Sequence, residues 1–221
     1  MVAGETVGVD ELFRFEHVGL TDGGTTVLDD VDVAVPADGI TVVSGPSGSG
    51  KSTLLRMCNR LVVPTTGRVL LRGRPLDELD PVALRRQVGM VFQRPTVFDG
   101  TCLDNLRAAT SRHEPLPLDQ VQALMGRVGL DADLLDRDAK VLSGGEGQRL
   151  CLARTLATGC EVLLADEPTS ALDHEATTVL ELLARELADG GMPVLWVTHD
   201  RAQADRLADH RLTVAEGRVR G

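Results

Sequence analysis

The stretch Ile40-Thr41-Val42-Val43-Ser44-Gly45-Pro46-Ser47-Gly48-Ser49-Gly50-Lys51-Ser52-Thr53 decides how this chain folds. Ile40 to Val43 reads as a buried strand and Lys51 to about Leu61 as a helix, and the turn between them fits G-x-x-x-x-G-K-[ST]. Gly45, Gly48 and Gly50 let the backbone around Pro46, Ser47 and Ser49 wrap closely, so that successive N–H groups point inward at phosphate oxygens. The helix N-terminus at Lys51 adds partial positive charge, the Lys51 ammonium reaches the terminal phosphates, and the Ser52 hydroxyl is of the type that ligates magnesium.

Working outward from this stretch, Phe13 and Phe15 alternate with polar residues, and Val31, Val33 and Val35 do so again after the turn Asp22-Gly23-Gly24. Both runs predict antiparallel strands. Downstream, Arg68 to Arg72 and Val88 to Phe92 read as strands, and Asp80-Pro81 as a helix start with Asp at the N-cap. Between Arg94 and Ser143 the strand signal disappears, and helical pieces near Leu103 to Ala109 and Leu118 to Val128 are split by Pro115 and Pro117. From Leu142 the alternation resumes with a helix to about Leu156, a strand Val162 to Ala165 and a helix Glu175 to Leu187 with Val179, Leu180, Leu183 and Leu187 on one face. A strand Val194 to Thr198, a short helix and a strand near Arg211 to Val214 close the chain. Apolar strands between helices predict an α/β fold with a mostly parallel sheet covered on both faces. The expected organisation is one domain over 1–221, with a core of 1–93 and 143–221, N-terminal antiparallel strands and a helical insertion at 94–142.

Composition narrows the function classes. At 221 residues, 43% hydrophobic and 25% charged, the chain has the make-up of one globular domain, which excludes disorder, collagen-like repeats and coiled coil. Aromatic residues make up 2%, Tyr is absent and the net charge is -10, so neither a base-stacking platform nor a phosphate-backbone footprint is available and no nucleic acid partner is expected. That charge does not oppose a polyphosphate, because surface carboxylates are screened beyond about 8 Å whereas loop amides and Lys51 act at contact. No apolar run approaches the roughly 18 residues of a membrane span, and the start is acidic, so a cytoplasmic chain is expected. Cys58, Cys102, Cys151 and Cys160 lack C-x-x-C spacing and read as small buried hydrophobes, Trp196 as a strand core residue, and Arg85, Arg86 and Arg94 as a solvated face.

Two further elements carry chemistry. In Val162-Leu163-Leu164-Ala165-Asp166-Glu167 an apolar strand ends in two acids, where Asp166 can hold magnesium through its water shell and Glu167 can polarise an attacking water. In Leu142-Ser143-Gly144-Gly145-Glu146 a hydroxyl and two glycines precede a helix, a second anion-shaped turn. The first loop already wraps the phosphates of one nucleotide, so this second turn is best used on the far side of a terminal phosphate held by another subunit.

With these elements in order, the sequence resembles the ATP-binding subunits of ABC transporters over almost its whole length; within them PTVFDGT (95–101), DNL (104–106) and VLWVTHD (194–200) look most like iron-export-type subunits, with phosphate-import-type subunits similar in places. The resemblance rests on GPSGSGKST (45–53), Gln93 in VFQRP, LSGGEGQR (142–149), VLLADEP (162–168), SALD (170–173) and THD (198–200). It implies a P-loop NTPase core of RecA-like type, ATP and magnesium as ligands, and ATP hydrolysis in a nucleotide-sandwich dimer. It implies roles for Gln93 at magnesium and the attacking water, Glu167 as general base, Asp173 in the loop that bridges subunits and His199 at the terminal phosphate. Ser143 to Glu146 would close over nucleotide bound by a paired copy, and Pro95 to Leu106 would dock an integral membrane permease subunit, placing the protein at the inner face of the membrane. The family's usual aromatic ahead of the core strands is missing from Gly19 to Leu28, leaving Leu20, Asp22 or a displaced Phe15 to meet the adenine. The alternative is an ABC-type ATPase without transport, in DNA repair or on ribosomes; against it stand the single nucleotide domain and the lack of a coiled arm. A P-loop kinase or GTPase would have no use for Ser143 to Glu146.

Overall fold

The computed structural model describes residues 11–110 and 116–221; the acidic start up to Asp10, and Pro115, lie outside the described residues. A hairpin of β1 (Glu11–Asp22) and β2 (Thr25–Pro36) opens the chain, and β3 (Ile40–Ser44) runs into the glycine-rich loop that starts α1 (Lys51–Met57). β4 (Thr66–Leu71), β5 (Arg74–Pro75), α2 (Pro81–Gln87) and β6 (Val88–Val91) follow. After α3 (Cys102–Arg107), α4 (Leu118–Arg127) and α5 (Gly144–Leu156), the pattern returns with β7 (Val162–Asp166), α6 (His174–Asp189) and β8 (Val194–Val197). The chain ends in α7 (Arg201–Leu207), β9 (His210–Ala215) and β10 (Arg218–Arg220).

Two sheets result. An antiparallel sheet runs β2-β1-β4-β5, and a six-stranded sheet runs β10-β9-β3-β8-β7-β6, parallel throughout except for the β9–β10 hairpin. Side chains of a strand alternate between faces, and the six-stranded sheet uses both. Leu163, Ala165, Val194 and Trp196 pack with α3 to α7 on one face; Val162, Leu164, Leu195 and Val197 pack with α1 and the antiparallel sheet on the other. This double burial is why the central strands read as continuous apolar runs.

Several boundaries move. α1 ends about a turn before the expected Leu61, because Cys58 N–H bonds back to Leu55, Arg60 turns left-handed at φ 55°, and the Leu61 and Val62 amides both donate to the Arg56 carbonyl. The inward face of α6 is Ala176, Leu180, Leu183, Ala184 and Leu187, whereas Val179 is half-buried and faces Gly129. β10 had no counterpart in the sequence reading. Phe15 is fully buried between β1 and its neighbours, so it is not available to a nucleotide base, which corrects that expectation. The four cysteines are buried and unpaired, and Trp196 is a core residue whose Nε1 donates to Gln203 Oε1 at 3.2 Å. Arg85 is not simply solvated: its guanidinium donates to the Asn59 and Arg60 carbonyls, tying α2 to the end of α1. Among the described residues between 94 and 142 lie α3, α4 and two 3₁₀ turns, with one bridge between Thr101 and Asp138. Among the described residues no helix is long and apolar enough to cross a membrane.

Candidate active site

The site lies beyond the carboxyl ends of β3, β7 and β8, where a parallel sheet presents its loops. β3 gives way to Gly45 at φ 145°, a position where a Cβ would stand 2.0 Å from the Val214 carbonyl, so only glycine lets the loop leave the sheet there. Gly50, left-handed at φ 107°, then turns the chain into α1. Lys51 is only 5% exposed; its ammonium donates to the carbonyls of Gly45 (2.9 Å) and Pro46 (2.7 Å), so the side chain lies folded along the loop it closes. The Ser49 hydroxyl is buried inside the loop without a hydrogen-bond partner among the described residues, an orphaned donor of the kind a phosphate oxygen would satisfy.

On α1 the Ser52 hydroxyl donates to Asp166 Oδ1 at 2.6 Å, across from the end of β7. Asp166 is fully buried, and Arg56 Nη2, one helical turn after Ser52, lies 3.4 Å from its other oxygen. A buried carboxylate beside a hydroxyl is a hard-oxygen pair suited to magnesium, which takes one or two such ligands and fills its octahedron with phosphate oxygens and water.

Glu167 follows Asp166 and is held in the left-handed region at φ 46°, its amide donating to the Val197 carbonyl at 3.2 Å. A non-glycine residue there is strained, and here the strain turns the carboxylate away from the strand line into the site. Its Oε2 accepts from Gln93 Nε2 at 3.0 Å and lies 3.1 Å from His199 Nδ1; among the described residues nothing donates to Oε1. Gln93 comes from the segment after β6 and His199 from the turn after β8, so three chain segments converge on one carboxylate. A cavity of about 550 Å³ opens between them, lined by Ser47, Gly48, Gly50, Lys51, Ser52, Thr53, Gln93, Glu167, His199 and Val27.

The remaining expected residues lie elsewhere. Ser143, Gly144, Gly145 and Glu146 do not line this cavity. Ser143 caps α5 reciprocally with Glu146: the Glu146 amide donates to Ser143 Oγ (3.2 Å) and the Ser143 amide to Glu146 Oε2 (2.8 Å). Asp173 caps α6, accepting the Ala176 amide at 2.8 Å. Three features went unread in the sequence. Arg56 could have been found from its spacing of four after Ser52, whereas Val27 and the backbone strain at Glu167 leave no local signal.

The family model for the ABC transporter matches residues 28–170. Over 217 residues the chain is 45% identical to phosphate import ATP-binding protein PstB 2 of Mycobacterium tuberculosis, covering 91% of this chain and 78% of that protein. It is 45% identical over 198 residues to protein STAR1 of Oryza sativa subsp. japonica, which covers 89% of this chain, and there it spans 57% of the relative's length. Its fold matches the dimeric post-hydrolysis structure of the ATP-binding cassette MJ0796 bound to ADP and Pi, with TM-score 0.84, 27% identity and coverage of 95% of this chain and 97% of that one. The chain belongs to the ABC transporter family, as one of its ATP-binding, ATP-hydrolysing subunits.

Proposed function

We propose that two copies of this chain bind ATP with magnesium between them, and that hydrolysis there drives integral membrane subunits docked on residues Pro95 to Leu106. The observation that carries the reading is the convergence of Gln93 and His199 on one oxygen of Glu167 beside Lys51 and Ser52. In this reading the amides of the 45–50 loop and Lys51 hold the phosphates, and Ser52 and Asp166, with Gln93 near them, hold magnesium. Bound there, magnesium would neutralise charge on the phosphate oxygens as the terminal phosphoryl leaves. Gln93 and His199 fix Oε2 of Glu167, which directs Oε1 toward water, and the carboxylate accepts the proton as that water attacks. His199 also faces the terminal phosphate.

Ser143 to Glu146 and Asp173 belong to the paired copy's site. The MJ0796 structure, dimeric in a post-hydrolysis state with ADP and Pi bound, supports the pairing of two copies. Residues 94–142 act as a helical unit that carries the membrane contact, placing the chain at the cytoplasmic face of the membrane through its partners. What is transported is decided by contacts in those partners; the likeness to a phosphate import subunit leaves the cargo to them. Glu167→Gln tests the centre of the reading. The variant is expected to keep nucleotide bound, lose at least about a hundredfold in kcat and accumulate as a dimer with ATP. Turnover at the original rate would remove Glu167 from the base role. Co-purification of a membrane protein from detergent extracts, lost on substituting Phe98 with Asp, tests the docking.

A further inference from the structure

The side chains along one flank of α5 are spent on a single stretch of irregular backbone, residues 92–98. Gln148 Nε2 donates to the Phe92 carbonyl at 2.9 Å, and Arg154 Nη2 to the Thr96 carbonyl at 2.8 Å. The second arm of the Arg154 fork, Nη1, donates to Asn105 Oδ1 at 2.9 Å. Asn105, fully buried on α3, completes the circuit: its Oδ1 accepts the Phe98 amide at 2.8 Å and its Nδ2 donates to the Phe98 carbonyl at 3.1 Å. The Arg154 guanidinium also lies over the Phe98 ring, 3.9 Å from its centre. Backbone outside a ladder must find other partners for its polar groups, and here α5 and α3 supply them. The residue that follows the Phe92 anchor is Gln93, whose side chain donates to Glu167. One end of the segment is therefore in the active site, while its body is fastened to the helix whose first turn is Ser143.

We propose that Arg154 is a positioning residue for hydrolysis. By holding the Thr96 carbonyl and Asn105 together it fixes the segment that delivers the Gln93 amide to Glu167. The geometry calls for arginine: the two acceptors meet different arms of one planar fork while the ring lies against its face, a combination a lysine ammonium cannot serve. The inference rests on the reading of Glu167 as base and Gln93 as its partner.

The test is a double-mutant cycle on steady-state ATP hydrolysis by the purified full chain, using Arg154→Met and Gln93→Ala. Arg154→Met is expected to lower kcat by roughly tenfold to a hundredfold, the effect of misplacing a positioned group, and to change KM for ATP less than about twofold. In the Gln93→Ala background the same substitution is expected to add less than about twofold. Losses that multiply would overturn the proposal, since Arg154 would then act by a route other than Gln93. If Gln93→Ala alone leaves kcat unchanged, the role of Gln93 itself is wrong and the proposal falls with it, a result distinct from multiplicative losses. Should Arg154→Met not fold, Arg154→Lys keeps the charge and loses the fork, and carries the same cycle with the same two outcomes.

Discussion

Two glycines of the phosphate loop look alike in sequence and differ in what the fold asks of them. At Gly45 a Cβ would meet the Val214 carbonyl, a backbone atom that cannot yield, at 2.0 Å, and φ is 145°. Gly48 is also left-handed, at φ 75°, but nothing lies within 4 Å of its missing Cβ. Gly45→Ala should therefore cost more than about 3 kcal/mol through clash and strain together. Gly48→Ala should cost only about 1 kcal/mol, the penalty of a left-handed alanine. Urea unfolding of the two variants checks this, and equal losses would show that the β9 carbonyl gives way. Lys51, Ser52, Asp166 and Glu167 were legible as residues because their chemistry is inseparable from their spacing. The distinction between the two glycines was not, because it depends on Val214, which is remote along the chain. Nor was the left-handed turn at Glu167, a residue with no preference for that region whose backbone amide is held by the Val197 carbonyl.

At the scale of elements, α5 begins in a reciprocal cap whose strength depends on pH. Ser143, through its hydroxyl and then its amide, holds the Glu146 carboxyl below its usual range. The folded carboxyl titrates lower than the unfolded one, so its contribution is complete above the ordinary carboxylate value and is lost as pH falls through the lowered one. Glu146→Gln keeps an acceptor for the Ser143 amide but removes the charge. Its melting temperature should therefore fall less steeply than that of the parent between neutral pH and the acid range, as thermal melts across that range would measure. Parallel curves would mean the cap contributes nothing that titrates. The cap was visible in the sequence only as an anion-shaped turn, since Ser143 and Glu146 at that spacing serve a helix start and a phosphate equally well. Element types along the chain were legible wherever periodicity ran for a turn or more. They failed where length or tertiary contact decided: α1 stops early at a left-handed Arg60, Val179 rotates out toward Gly129, and β10 is too short to show a pattern.

At the scale of the whole molecule, the two glycine turns are the features that the monomer leaves apart. The cavity beside Lys51 has no lining residue from Ser143 to Glu146, and in the proposed dimer the two turns come from different chains. A two-fold dimer then contains two composite sites, each with the Lys51 loop of one copy and the Ser143 turn of the other. Complementation follows from this geometry. A Lys51→Ala chain is deficient only in its own loop, and a Ser143→Arg chain only in what it offers its partner. In a mixed dimer both defects fall in the same site, and the other site pairs an intact Lys51 loop with an intact Ser143 turn. Each variant alone should be nearly inactive. An equimolar mixture, with half its dimers mixed and one of two sites whole in each, should recover about a quarter of the parent's ATP hydrolysis. Recovery should track the mixed fraction as the ratio is varied, and circular dichroism should show both variants folded at the assay temperature, with Ser143→Arg melting below the parent because it loses the α5 cap. A mixture as inactive as its components at every ratio would mean that both turns serve the nucleotide from one chain, or that Ser143 serves none.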